Sequence, residues 1–285
     1  MARCPTIHDS PFTIHHPPRF RLVRTSDIRV FLCLLPLLLT ASPRTATAAD
    51  SPSPKSISIA AASDTKFALD DLIAAFQKDH PEVKVQATYG SSGNFYAQLS
   101  QRAPFDLFLS ADITYPNKLI EAGLAVPDSK FMYAVGKLVL WVPTNSGLVP
   151  SKGIEILNDS SVKKIAIANP EHAPYGKAAV AAMQKLGVYD AVKPKLVYAE
   201  NIAQAAQFVE SGAADAGLIA LSLALAPPMR AKGAWWEIPS DAYPRLEQGG
   251  VILSWARNPT LTRQFKNFLL SDSGKEVLRR YGFEK

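Results

Sequence analysis

The chain has 285 residues, with 31 Lys and Arg against 25 Asp and Glu, and two cysteines. The positive excess sits at one end: residues 1–48 hold six of the basic residues and only Asp9 and Asp27 of the acidic ones, leaving 25 basic against 23 acidic groups, a net of +2. That balance removes the main support for a nucleic-acid or membrane-surface partner, and because Cys4 and Cys33 lie in the same leader, the remainder has no disulfide and no thiolate metal ligand.

Residues 1–48 read as an export signal. Arg19, Arg21, Arg24 and Arg29 precede the apolar run 30–39, and Ala46-Thr47-Ala48 supplies small residues for cleavage near Ala48 or Ala49. The run is about ten residues long, too short to span a bilayer, and Cys33 lacks the small residues expected before a lipid-modified cysteine. The polar stretch ahead of it is long for a signal peptide, which leaves open a start codon downstream of Met1. About 237 residues then remain, enough for one large domain or two medium ones.

Along this remainder, strand-like apolar runs alternate with helical patterns, the sequence signature of an α/β protein with largely parallel sheets. Residues 57–61 form a short apolar strand, followed after Ser63 by a helix with Ala68, Leu69, Leu72, Ile73 and Phe76 on one face. His80-Pro81 ends it. Val83, Val85, Ala87 and Tyr89 alternate as a strand, Ser91-Ser92-Gly93 opens a short helix, and residues 106–109 make the next strand. KLVLWV at 137–142 is a strand followed by a Pro-, Ser- and Gly-rich loop, where the chain is expected to cross into a second lobe. There the scheme restarts, with strand 165–168, loop 169–176 and helix 177–186, then strand 196–199 and helix 202–210, then strand 214–220. Residues 226–244 read as turn-rich, 250–256 as a strand, and helices after Pro259 and Ser273 finish the chain. The expected boundaries are residues 1–48 for the signal peptide, 55–138 plus 248–285 for lobe 1, and 139–247 for lobe 2.

Four strand-to-helix junctions result, centred on Ser63, Ser92, Tyr175 and Asn201-Ile202, two on each side of the crossing. The first N–H groups of a helix have no partner inside it, and the aligned peptide dipoles leave a partial positive charge there, so a small oxyanion satisfies both. One such serine alone reads as a helix cap. Repetition at the carboxyl ends of strands, where ligands of open α/β sheets gather, points instead to one cleft ringed by donors.

The residues that carry this pattern resemble a known family, the periplasmic molybdate-binding proteins of ABC importers, ModA. The motifs are AAAS at 60–63, YGSSG at 89–93, APFDLFLSAD at 103–112, NPEHAPYGKAA at 169–179, LGVYD at 186–190, AENI at 199–202 and RRYGF at 279–283. The resemblance covers nearly all of the chain after the leader. It implies a two-lobed type II periplasmic-binding-protein fold, each lobe a mostly parallel sheet flanked by helices, closing on molybdate or tungstate. By the same resemblance Ser63 and Ser92 donate through hydroxyl and backbone N–H, and Tyr175 and Ile202 supply donors from the other lobe. The implied partners are an inner-membrane ABC permease with its ATPase, the location is the periplasm, and the protein is a monomer with no cofactor, no catalytic residue and no cation site, the molybdate being held by those same four residues. One departure stands out. Family members with a GIVYGSDA-like segment place a tyrosine on the anion, whereas GLIALSLA here puts Ala220 at that position, and Tyr175 is expected to supply the phenol instead.

Sharper motifs fail. Ser63-Asp64-Thr65-Lys66 matches the S-x-x-K of serine acyl enzymes but lacks the S-D-N and K-T-G companions, and no G-x-S-x-G elbow exists. Gly176-Lys177 lacks the preceding glycine of a phosphate-binding P-loop. His80 reads as a helix-end residue, His172 as shaping its loop, Lys66 and Lys177 as solvated, and Trp235-Trp236 as filling a minor core. A Ser63-dependent hydrolase and a receptor for another small anion such as sulfate are the alternative functions.

Overall fold

In the computed structural model, residues 55–284 are described, and they belong to one compact unit. The expected signal peptide lies outside the described residues. Two five-stranded mixed sheets organise the rest.

The first lobe starts with β1 (Ser56–Ala62), a 3-10 turn at Ser63–Thr65 and α1 (Lys66–Asp79). β1 is apolar at nearly every position because both its faces are covered, and α1 buries the stripe Ala68, Leu69, Leu72 and Phe76 against one of them. β2 (Lys84–Gly90), α2 (Ser92–Ser100), β3 (Leu107–Ser110), α3 (Thr114–Glu121) and β4 (Phe131–Gly136) follow. The chain then leaves this sheet at Gly136 and enters the second at Leu138, the start of β5 (Leu138–Pro143).

The second lobe contains β6 (Ile165–Ala168), α4 (Pro174–Lys185), the short α5 (Tyr189–Val192), β7 (Leu196–Ala199), α6 (Ile202–Glu210) and β8 (Ala216–Ala220). The short helices α7 (Leu221–Ala224) and α8 (Pro227–Arg230) lead to β9 (Gly233–Glu237). The chain returns to the first sheet as β10 (Leu246–Ile252) and ends with α9 (Pro259–Leu270) and α10 (Asp272–Arg280).

Strand order is β2-β1-β3-β10-β4 in the first sheet and β7-β6-β8-β5-β9 in the second. The three strands at one side of each sheet are parallel, while β10 runs antiparallel to β3 and β4, and β5 antiparallel to β8 and β9. The sheets are therefore more mixed than the alternating pattern implies, because the strands that carry the chain between lobes run against their neighbours.

Two strands escape the sequence reading. β9 lies inside the stretch read as turns; it is a half-buried edge strand whose Trp235 and Trp236 pack against the second-lobe core. β10 begins at Leu246, not near residue 250, because Glu247 and Gln248 make its first half look like surface. Gln248 is nonetheless fully buried, and a bulge between Gln248 and Gly249 shifts its register.

Candidate functional site

Each junction is built by local chemistry. At the end of β1 the Thr65 hydroxyl donates to the Ala62 carbonyl at 2.7 Å, fixing the tight turn that presents Ser63 and Asp64. At the end of β2, Ser91 caps α2 by accepting from the Asn94 N–H, which leaves Ser92 as the first helical residue. Asn201 caps α6 in the same way, accepting from the Gln204 N–H at 3.0 Å, so that Ile202 opens that helix. At α4, Pro174 takes the first helical position, where its missing N–H costs nothing. Gly176 is required two residues later, since a Cβ there would lie 2.2 Å from the Ala168 carbonyl oxygen, and this close approach seats the start of α4 on the end of β6.

These four starts line a single small cavity together with Ala62, Asp64, Gly90, Ser91, Ala111, Ala173 and Pro174. It is a small, tightly closed space, far below the roughly 300–1,000 Å³ of pockets for organic ligands. Among the described residues, no backbone carbonyl outside its own helix takes up the N–H of Ser92, Tyr175 or Ile202, whereas the Asp64 N–H is turned to its own carboxyl. The Ser92 hydroxyl accepts from the Ala111 N–H at 3.0 Å, and its own proton remains available to the cavity. No lysine, arginine or histidine lines the space. Lys66 is turned outward to Asp70 at 3.3 Å, and Lys177 lies 6.0 Å from the Tyr115 ring.

Besides the bond from Gln248 Nε2 to the Tyr175 hydroxyl, five hydrogen bonds close the lobes on each other around this cavity. Ser63 Oγ donates to Asn201 Oδ1 at 3.1 Å and accepts from the Ala203 N–H at 3.2 Å. Ser91 Oγ and His172 Nδ1 are 2.9 Å apart, and the Gly93 N–H donates to the His172 carbonyl at 2.9 Å. The Ser222 hydroxyl donates to the Asp64 carbonyl at 2.7 Å. His172 thus holds the two lobes together beside the cavity and does not line it.

Two lining residues, Asp64 and Tyr175, belong to a buried polar cluster that the sequence does not mark. Asp64 is 1% exposed, and Gln248 Nε2 donates to its Oδ2 and, at 3.3 Å, to the Tyr175 hydroxyl. Asp64 Oδ1 and Gln248 Oε1 have no hydrogen-bond partner. Burial pushes the Asp64 carboxyl up to about 7, with hydrogen bonding from Gln248 and Tyr175 pulling the other way. Burial and the neighbouring Asp64 push the Tyr175 and Tyr133 phenols well above their usual value. The Tyr175 side chain crosses from the second lobe and its hydroxyl rests on Gly136 of β4, where a Cβ would stand only 2.1 Å away. Ala220, the N-cap of α7, is fully buried beside Leu138 of β5. The signal for Asp64 was present in the sequence as an acidic residue directly after a buried strand. For Gln248 nothing marked it, because its neighbours Arg245 and Glu247 are solvent-facing.

Two facing α/β lobes with helix starts converging on one small donor-lined cavity define a solute-binding protein of the two-lobed kind. The chain belongs to the bacterial extracellular solute-binding protein family, whose profile matches residues 57–284. Its relatives include the molybdate-binding protein ModA of Rhodobacter capsulatus, 41% identical over 199 residues covering 70% of this chain and 77% of that protein. ModA of Azotobacter vinelandii is 39% identical over 227 residues, 80% of this chain and 89% of the relative. The solved periplasmic molybdate-binding protein of Azotobacter vinelandii superposes with a TM-score of 0.75 at 33% identity, covering 80% of this chain and 99% of that one. A sulfate-binding protein, SubI of Mycobacterium tuberculosis, shares the fold with a TM-score of 0.66 at 15% identity, over 80% of this chain and 86% of that one. The family resemblance and the two-lobed fold read from the sequence are thus both met.

Proposed function

We propose that this protein is an extracytoplasmic receptor that captures molybdate, and tungstate as an ion of the same shape, and delivers it to an ABC permease and its ATPase. The observation that carries this reading is the convergence of first-turn N–H groups from Ser92, Tyr175 and Ile202, with the Ser92 hydroxyl, on a cavity without a cationic side chain. Neutral donors hold a dianion when enough of them converge, because a hydrogen bond to a charged acceptor contributes roughly 1.5–3 kcal/mol. Ser92 adds a hydroxyl proton at one first-lobe junction, while the Ser63 proton is directed to Asn201, so Ser63 donates to the anion only by exchanging that partner. A fixed donor shell selects by radius: a smaller tetrahedral anion such as sulfate leaves several of these bonds stretched.

The Ser63 hydroxyl has an amide partner, Asn201, and no base within hydrogen-bonding distance, which supports a ligand-binding and not a nucleophilic role. Among the described residues no helix is long and apolar enough to cross a membrane. Relatives described as periplasmic support the reading of residues 1–48 as a cleaved export signal, and one cleft built within a single chain supports a monomer.

The test is calorimetric titration of the mature protein with molybdate, tungstate, sulfate and phosphate. Submicromolar binding of the first two is expected, with at least 100-fold weaker binding of the others, about 2.7 kcal/mol; equal affinity for sulfate would defeat the selectivity argument. In the same assay Ser92→Ala weakens molybdate by about 1.5–3 kcal/mol if its free proton donates to the anion, and no loss would return Ser92 to a packing role.

A further inference from the structure

The cavity wall contains one carboxyl group, and it is in the wrong charge state for a dianion. Asp64 lines the cavity, its side chain is buried, and its Oδ1 has no hydrogen-bond partner. An ionised carboxylate there leaves a buried charge without a cation and repels an incoming anion. The neutral acid removes both penalties and supplies a proton donor in a site otherwise made of donors.

No cation faces Asp64; hydrogen bonds from Gln248, Tyr175 and the backbone N–H groups of Asp64 and Thr65 favour the ionised form, and burial outweighs them. Gln248 on β10 is a neutral amide, and Tyr175 on α4 and Tyr133 on β4 are phenols whose pKa lies well above the usual value. Ser222 on α7 binds its backbone carbonyl. Lys66, on the same turn, is paired in solvent with Asp70, and His172 is held by Ser91.

We propose that Asp64 is a specificity-determining residue of the cleft: a fully deprotonated dianion binds only when Asp64 is the neutral acid, so that each ion enters with one proton taken up from solvent onto the carboxylate. The proposal rests on the oxyanion reading above. With the lobes together and no anion between them, the value near 7 puts the two forms in balance close to neutral pH. The competent fraction then falls tenfold for each pH unit above this, and apparent affinity falls with it. An oxyanion that keeps its own proton, such as hydrogenphosphate, meets an acceptor at the ionised Asp64 and does not share this loss.

The experiment is titration with sodium molybdate, which stays a dianion throughout, near pH 6 and near pH 8.5, in buffers of different ionisation heat. Wild-type affinity is expected to drop about 30-fold between the two, with close to one proton taken up per ion near the alkaline end. Asp64→Asn binds with little pH dependence, and phosphate gains on sulfate as the pH rises in the wild type only. A flat wild-type profile with no proton uptake overturns the proposal. So does a slope that persists in Asp64→Asn, or one that is removed by His172→Gln. If Asp64→Asn does not fold, the wild-type proton count and the His172→Gln profile decide. Absence of molybdate binding at every pH overturns the receptor reading and this proposal together, whereas tight binding with a flat profile overturns this proposal alone.

Discussion

Gly136→Ala separates contacts that shape the fold from contacts that shape capture. The added Cβ would lie 2.1 Å from the Tyr175 hydroxyl and 2.7 Å from Gln248 Nε2. Gln248 belongs to the neighbouring strand of the same sheet and is the far end of a flexible side chain, so it can turn aside in any state of the protein. Tyr175 belongs to the other lobe, is almost fully buried and is the second residue of α4. It meets Gly136 only when the lobes are together, and it cannot retreat without dragging the α4 start off the cavity. Overpacking of this kind costs about 1–3 kcal/mol, and charged to lobe closure it lowers molybdate affinity by roughly 5- to 150-fold. The assays are calorimetric titration and thermal melting of the ligand-free protein, where the expected change is under about 1 kcal/mol because the open form escapes the clash. Unchanged affinity would refute the reasoning, and so would a ligand-free loss as large as the binding loss, which would place the strain within one lobe.

Two further predictions concern buried carboxyls with opposite signs. Asp64 is raised, so the folded protein binds its proton more readily than the unfolded chain, and its contribution is lost as pH rises from the ordinary carboxylate range through about 7; in urea unfolding of the ligand-free protein with its lobes together, Asp64→Asn therefore gains on the wild type by a few kcal/mol between pH 5 and 8, and a constant gap would show that Asp64 does not titrate in this window. Asp106 is the reverse case: burial pushes it up, but the Arg257 guanidinium at 2.7 Å and the N–H groups of Arg257 and Ser58 hold it below its usual range. Its stabilisation is present above the unfolded carboxylate value and fades as pH falls through the folded one. Asp106→Ala orphans two backbone donors and costs about 3 kcal/mol at neutral pH, with a difference below about 1 kcal/mol in chemical denaturation counting against that account.

Much of the architecture was legible because strand and helix periods alternate cleanly where both faces of a strand are buried, as at β1, β3, β6 and β8. The four cavity-lining helix starts were legible because capping chemistry is local: Ser91 and Asn201 announce α2 and α6 within four residues. What escaped depends on contacts distant in sequence. β9 is recognisable only by its pairing with β5, and β10 was displaced because Gln248 is a polar residue in a core position. The Asp64–Gln248–Tyr175 cluster joins residues up to 184 positions apart, and Asp64 was weighed only as a filler between Ser63 and Lys66. His172 was legible as a loop-shaping residue, but its bond to Ser91 across the cleft was not, since that bond exists only when two lobes meet.

The neutral lining of the cavity has a consequence for where such a protein can work. Attraction between full charges is screened over about 8–10 Å at ordinary ionic strength and more steeply in concentrated salt, so a receptor that relied on lysines or arginines would lose its grip as the surrounding salt rose. Hydrogen bonds from Ser92, Tyr175 and Ile202 act at contact distance, inside a space from which counter-ions are excluded. On the proposed reading, in which these groups hold the anion and the receptor works outside the cytoplasm, capture is thereby insulated from the salinity of the surrounding medium.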